Sequence, residues 1–297
     1  MSTLDPAPAA PAIGLIGIGA MGMAMARNLR ARGHRVIARD IRPAAEDEAR
    51  GAGIVVADSP RALAGQADFV AIVVVNAAQI DAVLFADDGV VHAAPRPRAV
   101  MLCSTIAPQD SIGFAERLAS HGIAMIDGPI SGGPARAADG TMSMMLAAPA
   151  DVLEPWQAVL ADLAAKRFVV SERIGDAAKA KLVNNLLAGI NLVAGAEALA
   201  LAEKIGLDAK TAFAIIAASS GSSWAFQDRM ARVLEDDFEP RAQAHILTKD
   251  MTLATALAAS VGHATPLGNA ALAKFRETVA RGWSELDDAA VIKTYRA

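Results

Sequence analysis

Hydrophobic and polar positions alternate in two different rhythms along the chain. From Ile13 to Ile126 short apolar runs are separated by amphipathic stretches. Ile13–Ile18, Arg35–Arg39, Ile54–Ala57, Phe69–Val75, Val100–Cys103 and Met125-Ile126 read as strands. Met21–Arg32, Pro43–Gly51, Pro60–Gly65, Ala78–Phe85 and Gln109–His121 read as the helices between them. Val70–Val75 is apolar without a break, the mark of a strand buried on both faces in a parallel sheet covered by helices. Strand–helix alternation of this kind predicts a doubly wound α/β domain. After Val170 the rhythm changes. Asp176–Lys204 reads as one long helix rich in Ala and Leu, stopped at Gly206. Asp208–Ala218, Ser223–Leu234, Arg241–Ser260, Pro266–Arg281 and Asp287–Tyr295 follow as helices, with no strand-like alternation. The expectation is therefore a Rossmann-type domain over 13–172 and an all-helical domain over 173–297, begun by a long interdomain helix. The long helix is too apolar all round for a free surface helix, which places it in a core or an oligomer contact.

Composition sharpens this picture. Of 297 residues 54% are hydrophobic and only 4% aromatic, which favours closely packed helices over an aromatic-rich sandwich. The formal charge of −4 comes from interspersed signs with no basic run, so nucleic-acid binding has no electrostatic footprint. Cys103 is the only cysteine, which excludes an intramolecular disulfide and a cysteine metal cluster. The five histidines are scattered without metal-site spacing. Met1–Ala12 is rich in Pro and Ala, lacks the regions of a signal peptide, and reads as a flexible extension. No apolar run reaches membrane-spanning length without charged or turn residues. A cytoplasmic protein is expected, with no membrane partner.

The first candidate chemistry lies at Gly17-Ile18-Gly19-Ala20-Met21-Gly22, between a strand and a helix. Glycines at this spacing let a tight turn form, let the backbone approach a pyrophosphate, and let helix and strand pack closely. The helix N-terminus then favours the anion. The same glycines also serve a purely structural turn. Asp40 ends the second strand, where an acidic residue binds the adenosine ribose of NAD and repels the extra phosphate of NADP. NAD is favoured, although Arg39 and Arg42 flank Asp40 and could neutralise a phosphate. Asp40 otherwise starts a turn before Pro43.

Four further segments place polar residues where strands end or helices run. Ser104-Thr105 follows the strand Val100–Cys103, at the edge that faces ligands in such sheets; it also suits an N-cap. Ser131-Gly132-Gly133 offers a hydroxyl and bare backbone N–H groups to a carboxylate, or forms a plain loop. Lys181 and Asn185 share a face of the long helix, with Asn184 pointing elsewhere and Lys179 on another face. Burial and a nearby nicotinamide cation would lower the pKa of such a lysine, so that it accepts a hydroxyl proton. The alternative is a lysine snorkelling at a helix start. Lys249-Asp250 taken by itself reads as a solvated pair. Trp224 and Phe226 suit a pocket wall, a dimer contact or core packing.

Together these segments resemble the β-hydroxyacid dehydrogenase family, which includes 3-hydroxyisobutyrate dehydrogenase, tartronate semialdehyde reductase and L-threonate dehydrogenase. The resemblance runs from Ile13 to Lys293. Gly14 to Leu29 is similar to the family's cofactor signature, with Met21-Gly22 and Asn28-Leu29 as its distinctive additions. Asp127 to Gly133 is similar to its substrate-carboxylate motif, and Gly175 to Asn185 to its catalytic motif. The resemblance implies that Lys181 is the general acid/base and Asn185 its supporting amide. It implies that Ser131, Gly132 and Gly133 bind substrate. It implies cofactor contacts from Gly17 to Gly22, Asp40, Val74, Val75, Thr105 and Lys249, in a cleft between the domains. Val75–Gln79, Gly221–Phe226, Arg229-Met230 and Asp287–Lys293 resemble most the L-threonate dehydrogenase subgroup, which handles four-carbon sugar acids. Val74-Val75 stand where many members have Leu-Pro, and Asn184-Asn185 where that subgroup tends to have His-Gln. The expected reaction is NAD-dependent oxidation of a small hydroxy-carboxylic acid by a homodimer or homotetramer. Semialdehyde reduction, imine reduction and a non-catalytic nicotinamide-binding scaffold are the rival readings.

Overall fold

The computed structural model describes residues 11–296. It divides into two compact units, with the division between Ala180 and Lys181. The first unit carries a nine-stranded sheet: β1 (Ala12–Ile16), β2 (Arg35–Arg39), β3 (Val55–Val56), β4 (Phe69–Ile72), β5 (Ala99–Leu102), β6 (Ala124–Asp127), β7 (Ile130–Ser131), β8 (Ser143–Ala147) and β9 (Lys166–Ser171). The order is β3-β2-β1-β4-β5-β6-β8-β7, with β9 on β8. The first six strands are parallel. Chain order reverses between β1 and β4, so a crevice opens beyond their carboxyl ends, where open α/β sheets bind ligands.

The unbroken apolar run of β4 does what its pattern predicts. Phe69 and Ala71 join one hydrophobic cluster together with the helix Ala20–Ala31. Val70 and Ile72 join the cluster on the other face. All four are fully buried. Most predicted elements lie within a few residues of their expected positions, although β1 and β4 end at Ile16 and Ile72, and Gly17-Ile18 and Val73–Val75 are loop.

Between Ile130 and Ser171 the structure adds β7, β8 and β9, with helices at Gly133–Asp139, Ala150–Leu153 and Gln157–Leu163. The hydrophobic pattern does not announce these strands. β7 has two residues, and β9 leaves Phe168, Val169 and Val170 exposed, so neither shows buried alternation. The predicted extension lies outside the described residues up to its tenth position. Ala12 is an exception to that reading: it is buried and opens β1, its N–H bound to the Asp68 carboxylate at 2.8 Å.

The second unit is helical among the described residues. The helix Asp176–Lys204 is continuous across the division between the units and reaches the predicted length. Ala209–Ala217, Ala244–Ser260 and Pro266–Ala280 follow. Two predicted helices differ. Ser223–Leu234 contains a π-turn at Phe226–Met230, and Asp287–Tyr295 is a 3₁₀ turn at Asp288–Ile292 with a short helix after it. Among the described residues one helix, Asp176–Lys204, is long and apolar enough by length and composition to cross a membrane. Half of its most apolar stretch is buried within the protein, as in the core helix of a globular domain.

Candidate active site

The glycine turn shows why Gly17 and Gly22 are needed. Gly17 lies at φ +87°, and a Cβ there would sit 2.6 Å from the Val73 carbonyl oxygen. A Cβ on Gly22 would sit 2.0 Å from the Gly17 carbonyl oxygen, so any side chain would push helix and strand apart. At Gly19 the nearest atom is an Arg42 guanidinium nitrogen at 3.5 Å, which leaves the backbone approachable. Gly19 is also the N-cap of the helix Ala20–Ala31. That helix has no side-chain cap and no acidic residue in its first turn, so its positive end is open to an anion. This combination fits a pyrophosphate. Asn28, one of the signature residues, has a different task. It is buried, its Nδ2 donates to the Asp162 carbonyl at 2.7 Å, and its Oδ1 accepts from Arg32 Nε at 3.0 Å. It fastens the helix to Gln157–Leu163.

Asp40 lies at the carboxyl end of β2, buried and already engaged. Its Oδ2 accepts the Ile18 N–H at 2.9 Å, and its Oδ1 accepts the Arg42 N–H at 2.9 Å and Arg42 Nε at 3.0 Å. These bonds and the adjacent guanidinium hold its carboxyl below the ordinary range against the opposing effect of burial, which is the largest single influence. Asp40 thus both starts the turn before Pro43 and reaches the glycine loop.

After β4, Val74 is half-buried and Val75 exposed, and the Val75 N–H donates to the Gln79 side chain at 2.8 Å. After β5, Ser104 Oγ donates to the Val74 carbonyl at 2.6 Å and ties the two loops together, while Thr105 is half-buried beside it. Ser104 is therefore a loop clasp rather than a helix cap. Cys103 is buried, which pushes its thiol up to about 12 and keeps it protonated. Ser131 ends β7. Gly132 and Gly133 follow with φ of +135° and +76°, and a helix starts at Gly133.

The second unit holds the other group. Lys181 is 7% exposed on the long helix. Burial, the largest influence, lowers its pKa to about 8; the Lys249 charge lowers it further and the Asp250 charge raises it. Asn185, one turn on, is also buried, and its Nδ2 donates to Asp250 Oδ2 at 2.7 Å. Asp250 Oδ1 lies 2.8 Å from Lys249 Nζ. Asp250 is buried and Lys249 half-buried, and both charges act on Lys181, so the pair is not the fully solvated one that the sequence predicts. Sequence reasoning singled out Lys249-Asp250 but gave Asp250 no role, because an acidic residue inside an amphipathic helix carries no local signal of a partner 65 positions away. Asn184 is exposed, away from the buried face of Lys181 and Asn185 as expected, and its Nδ2 donates to Asn185 Oδ1 at 3.0 Å. Lys179 is half-exposed and pairs with Asp176 at 2.7 Å, as expected of a residue on another face. Phe226 is core, stacked on Phe213 at 5.2 Å, whereas Trp224 is 51% exposed with the Arg229 guanidinium 5.8 Å from its ring.

Comparison with known proteins identifies the family of both units. Residues 12–172 match the family model described as the NAD binding domain of 6-phosphogluconate dehydrogenase. Residues 175–295 match the model described as NAD-binding of NADP-dependent 3-hydroxyisobutyrate dehydrogenase. The L-threonate dehydrogenase of Haemophilus influenzae is 37% identical over 284 residues, covering 95% of this chain and 94% of that protein. The chain belongs to the 3-hydroxyisobutyrate dehydrogenase family. Members are oxidoreductases that act on CH–OH groups with a nicotinamide dinucleotide, and this chain is one of them. The NAD-dependent L-serine dehydrogenase of Pseudomonas aeruginosa is a 32% identical relative, covering 95% of this chain and 97% of its own. A crystal structure of 3-hydroxyisobutyrate dehydrogenase from Salmonella typhimurium superposes with a TM-score of 0.90 at 33% identity, covering 96% of this chain and 100% of that one. The family membership accounts for both the parallel sheet and the long helix after it.

Proposed function

We propose that this dehydrogenase oxidises a small hydroxy-carboxylic acid with NAD, and that a four-carbon sugar acid such as L-threonate is its substrate. The observation that carries the chemistry is Lys181, buried with its pKa lowered to about 8 and bordered by Asn185, Asp250 and Lys249. A lysine so tuned takes the hydroxyl proton near neutral pH. When bound, the nicotinamide supplies the hydride acceptor. Ser131 and the Gly132 and Gly133 N–H groups hold the substrate carboxylate. Lys181 Nζ accepts the proton as the C–H bond breaks, and returns it in the reverse direction. Asn185 orients the lysine and the hydroxyl, with its own amide fixed by Asp250.

The turn Gly17–Gly22, Asp40, Val74, Val75, Thr105 and Lys249 form the proposed cofactor set. Asp40 supports NAD over NADP, because a carboxylate beside the ribose repels a second phosphate. The substrate reading rests on the L-threonate relatives, which are 34–37% identical over most of the chain. L-Serine and 3-hydroxyisobutyrate form a second reading, because dehydrogenases named for them also match at 32% identity. A cytoplasmic homodimer or homotetramer is the proposed form. The exposed apolar positions Val183, Leu187 and Leu201 on the long helix, with Ile205 just after its end, support it. A panel assay of NAD reduction with L-threonate, L-serine and 3-hydroxyisobutyrate tests the reading. The highest kcat/KM with L-threonate is expected. A higher value with another acid overturns the substrate, and no turnover with any overturns the activity.

A further inference from the structure

Asp127 is the last residue of β6 and 2% exposed. Its backbone leads directly into Gly128-Pro129 and, through β7, to Ser131. Its side chain does something else. Oδ2 accepts the Gly175 N–H at 2.9 Å and the Ala178 N–H at 3.1 Å, 48 and 51 residues further on. These are amides at the start of the helix Asp176–Lys204 that have no partner within the helix itself. The helix's own first residue, Asp176, does not serve them with its carboxylate, which is taken by Lys179, Ser171 and Arg173. The cap is therefore supplied from the sheet. It acts on the turn immediately before Lys181, which follows Ala178 by three positions on the same helix.

We propose that Asp127 is a positioning residue for the reaction: one carboxylate holds both the root of the Ser131–Gly133 loop and the first turn of the helix that carries Lys181. This inference rests on the roles proposed above for Ser131 and Lys181. The geometry has a specific consequence. A capped first turn has a fixed rise and rotation, and a lysine one turn on inherits both. Releasing the cap frees that turn to fray or rotate, and misplacement of a catalytic group by about 1 Å costs on the order of a hundredfold in rate. One oxygen accepts both N–H groups, so an amide oxygen in the same place can keep the tie.

Steady-state kinetics of the full-length protein test this with Asp127→Ala and Asp127→Asn, alongside Lys181→Ala. For D127A we expect kcat to fall at least tenfold and KM for the hydroxy acid to rise, with the Kd of the nicotinamide cofactor within twofold of wild type. The pH limb near 8 in kcat/KM stays in place. D127N should stay within a few-fold of wild type in both constants. If D127A does not fold, Asp127→Ser takes its place and should show the same direction of loss. Unchanged kinetics in a folded D127A or D127S overturns the inference, as does a D127N as slow as D127A or a displaced pH limb. Full turnover in K181A would remove the lysine reading instead. A dead K181A with an unaffected D127A removes the Asp127 inference alone.

Discussion

Asn185 and Asp250 meet through a 2.7 Å hydrogen bond that joins the long helix to Ala244–Ser260. Asp250 also lies 2.8 Å from Lys249 and raises the pKa of Lys181 through its charge. Asp250→Asn removes that charge. The lysine then loses its proton more readily, so the pH limb of the oxidation reaction moves to lower pH. A pH profile of kcat/KM that is unmoved in D250N would show that the two residues do not communicate.

Lys181 gives the wild-type profile its expected shape. On the proposed role of Lys181, oxidation uses the neutral amine, so kcat/KM should rise with pH and level off above about 8; reduction uses the ammonium and should fall over the same range. Lys181→Ala should lower kcat by about 10²–10⁴-fold while the cofactor Kd stays nearly intact. Parallel turnover and cofactor titrations check both halves.

Arg42 is expected to influence the choice between NAD and NADP. Its side chain is 60% exposed and stands on Asp40 beside Gly19. Arg42→Ala should reduce use of NADP more than use of NAD, because only NADP brings a phosphate for the guanidinium. Asp40→Ala should weaken NAD about tenfold, the equivalent of ~1.4 kcal/mol. The ratio of kcat/KM for the two cofactors measures each effect.

Asp287 is fully buried and accepts hydrogen bonds from Arg232 Nη1 at 2.9 Å and from the Arg241 N–H at 2.9 Å. Arg229 lies within 3.6 Å of it and 2.7 Å from Asp288. Asp287→Ala leaves both guanidinium groups with a missing partner in a desolvated site. A loss of about 3–5 kcal/mol is expected, read as a lower midpoint in denaturant unfolding.

Much of the fold was legible along the chain because its two rhythms are strong. The run Phe69–Ile72, buried on both faces, and the glycine spacing at Gly17–Gly22 each answer to local geometry, so the pattern alone exposes them. The region Ile130–Ser171 was less legible, because β7 is two residues long and β9 is exposed, and β8 buries alternate residues, Met144 and Leu146, over only five positions. The family resemblance supplied Lys181 and Ser131–Gly133, and the structure supplied the surroundings of Lys181.

The amino-acid sequence by itself determined the parallel sheet, the glycine turn, the long helix and the kinship of the chain. These depend on spacing within a strand, a turn or a helix, which a linear pattern records. Only the tertiary structure decided that Lys181 is buried with Asp250 and Lys249 near it, that Asp40 is bound by Arg42 and Ile18, that Asn28 is a fastener, and that Asp127 caps a helix 48 positions away. Each of these depends on which polar groups share a desolvated place after folding. That depends on how distant segments pack, and no local spacing encodes it.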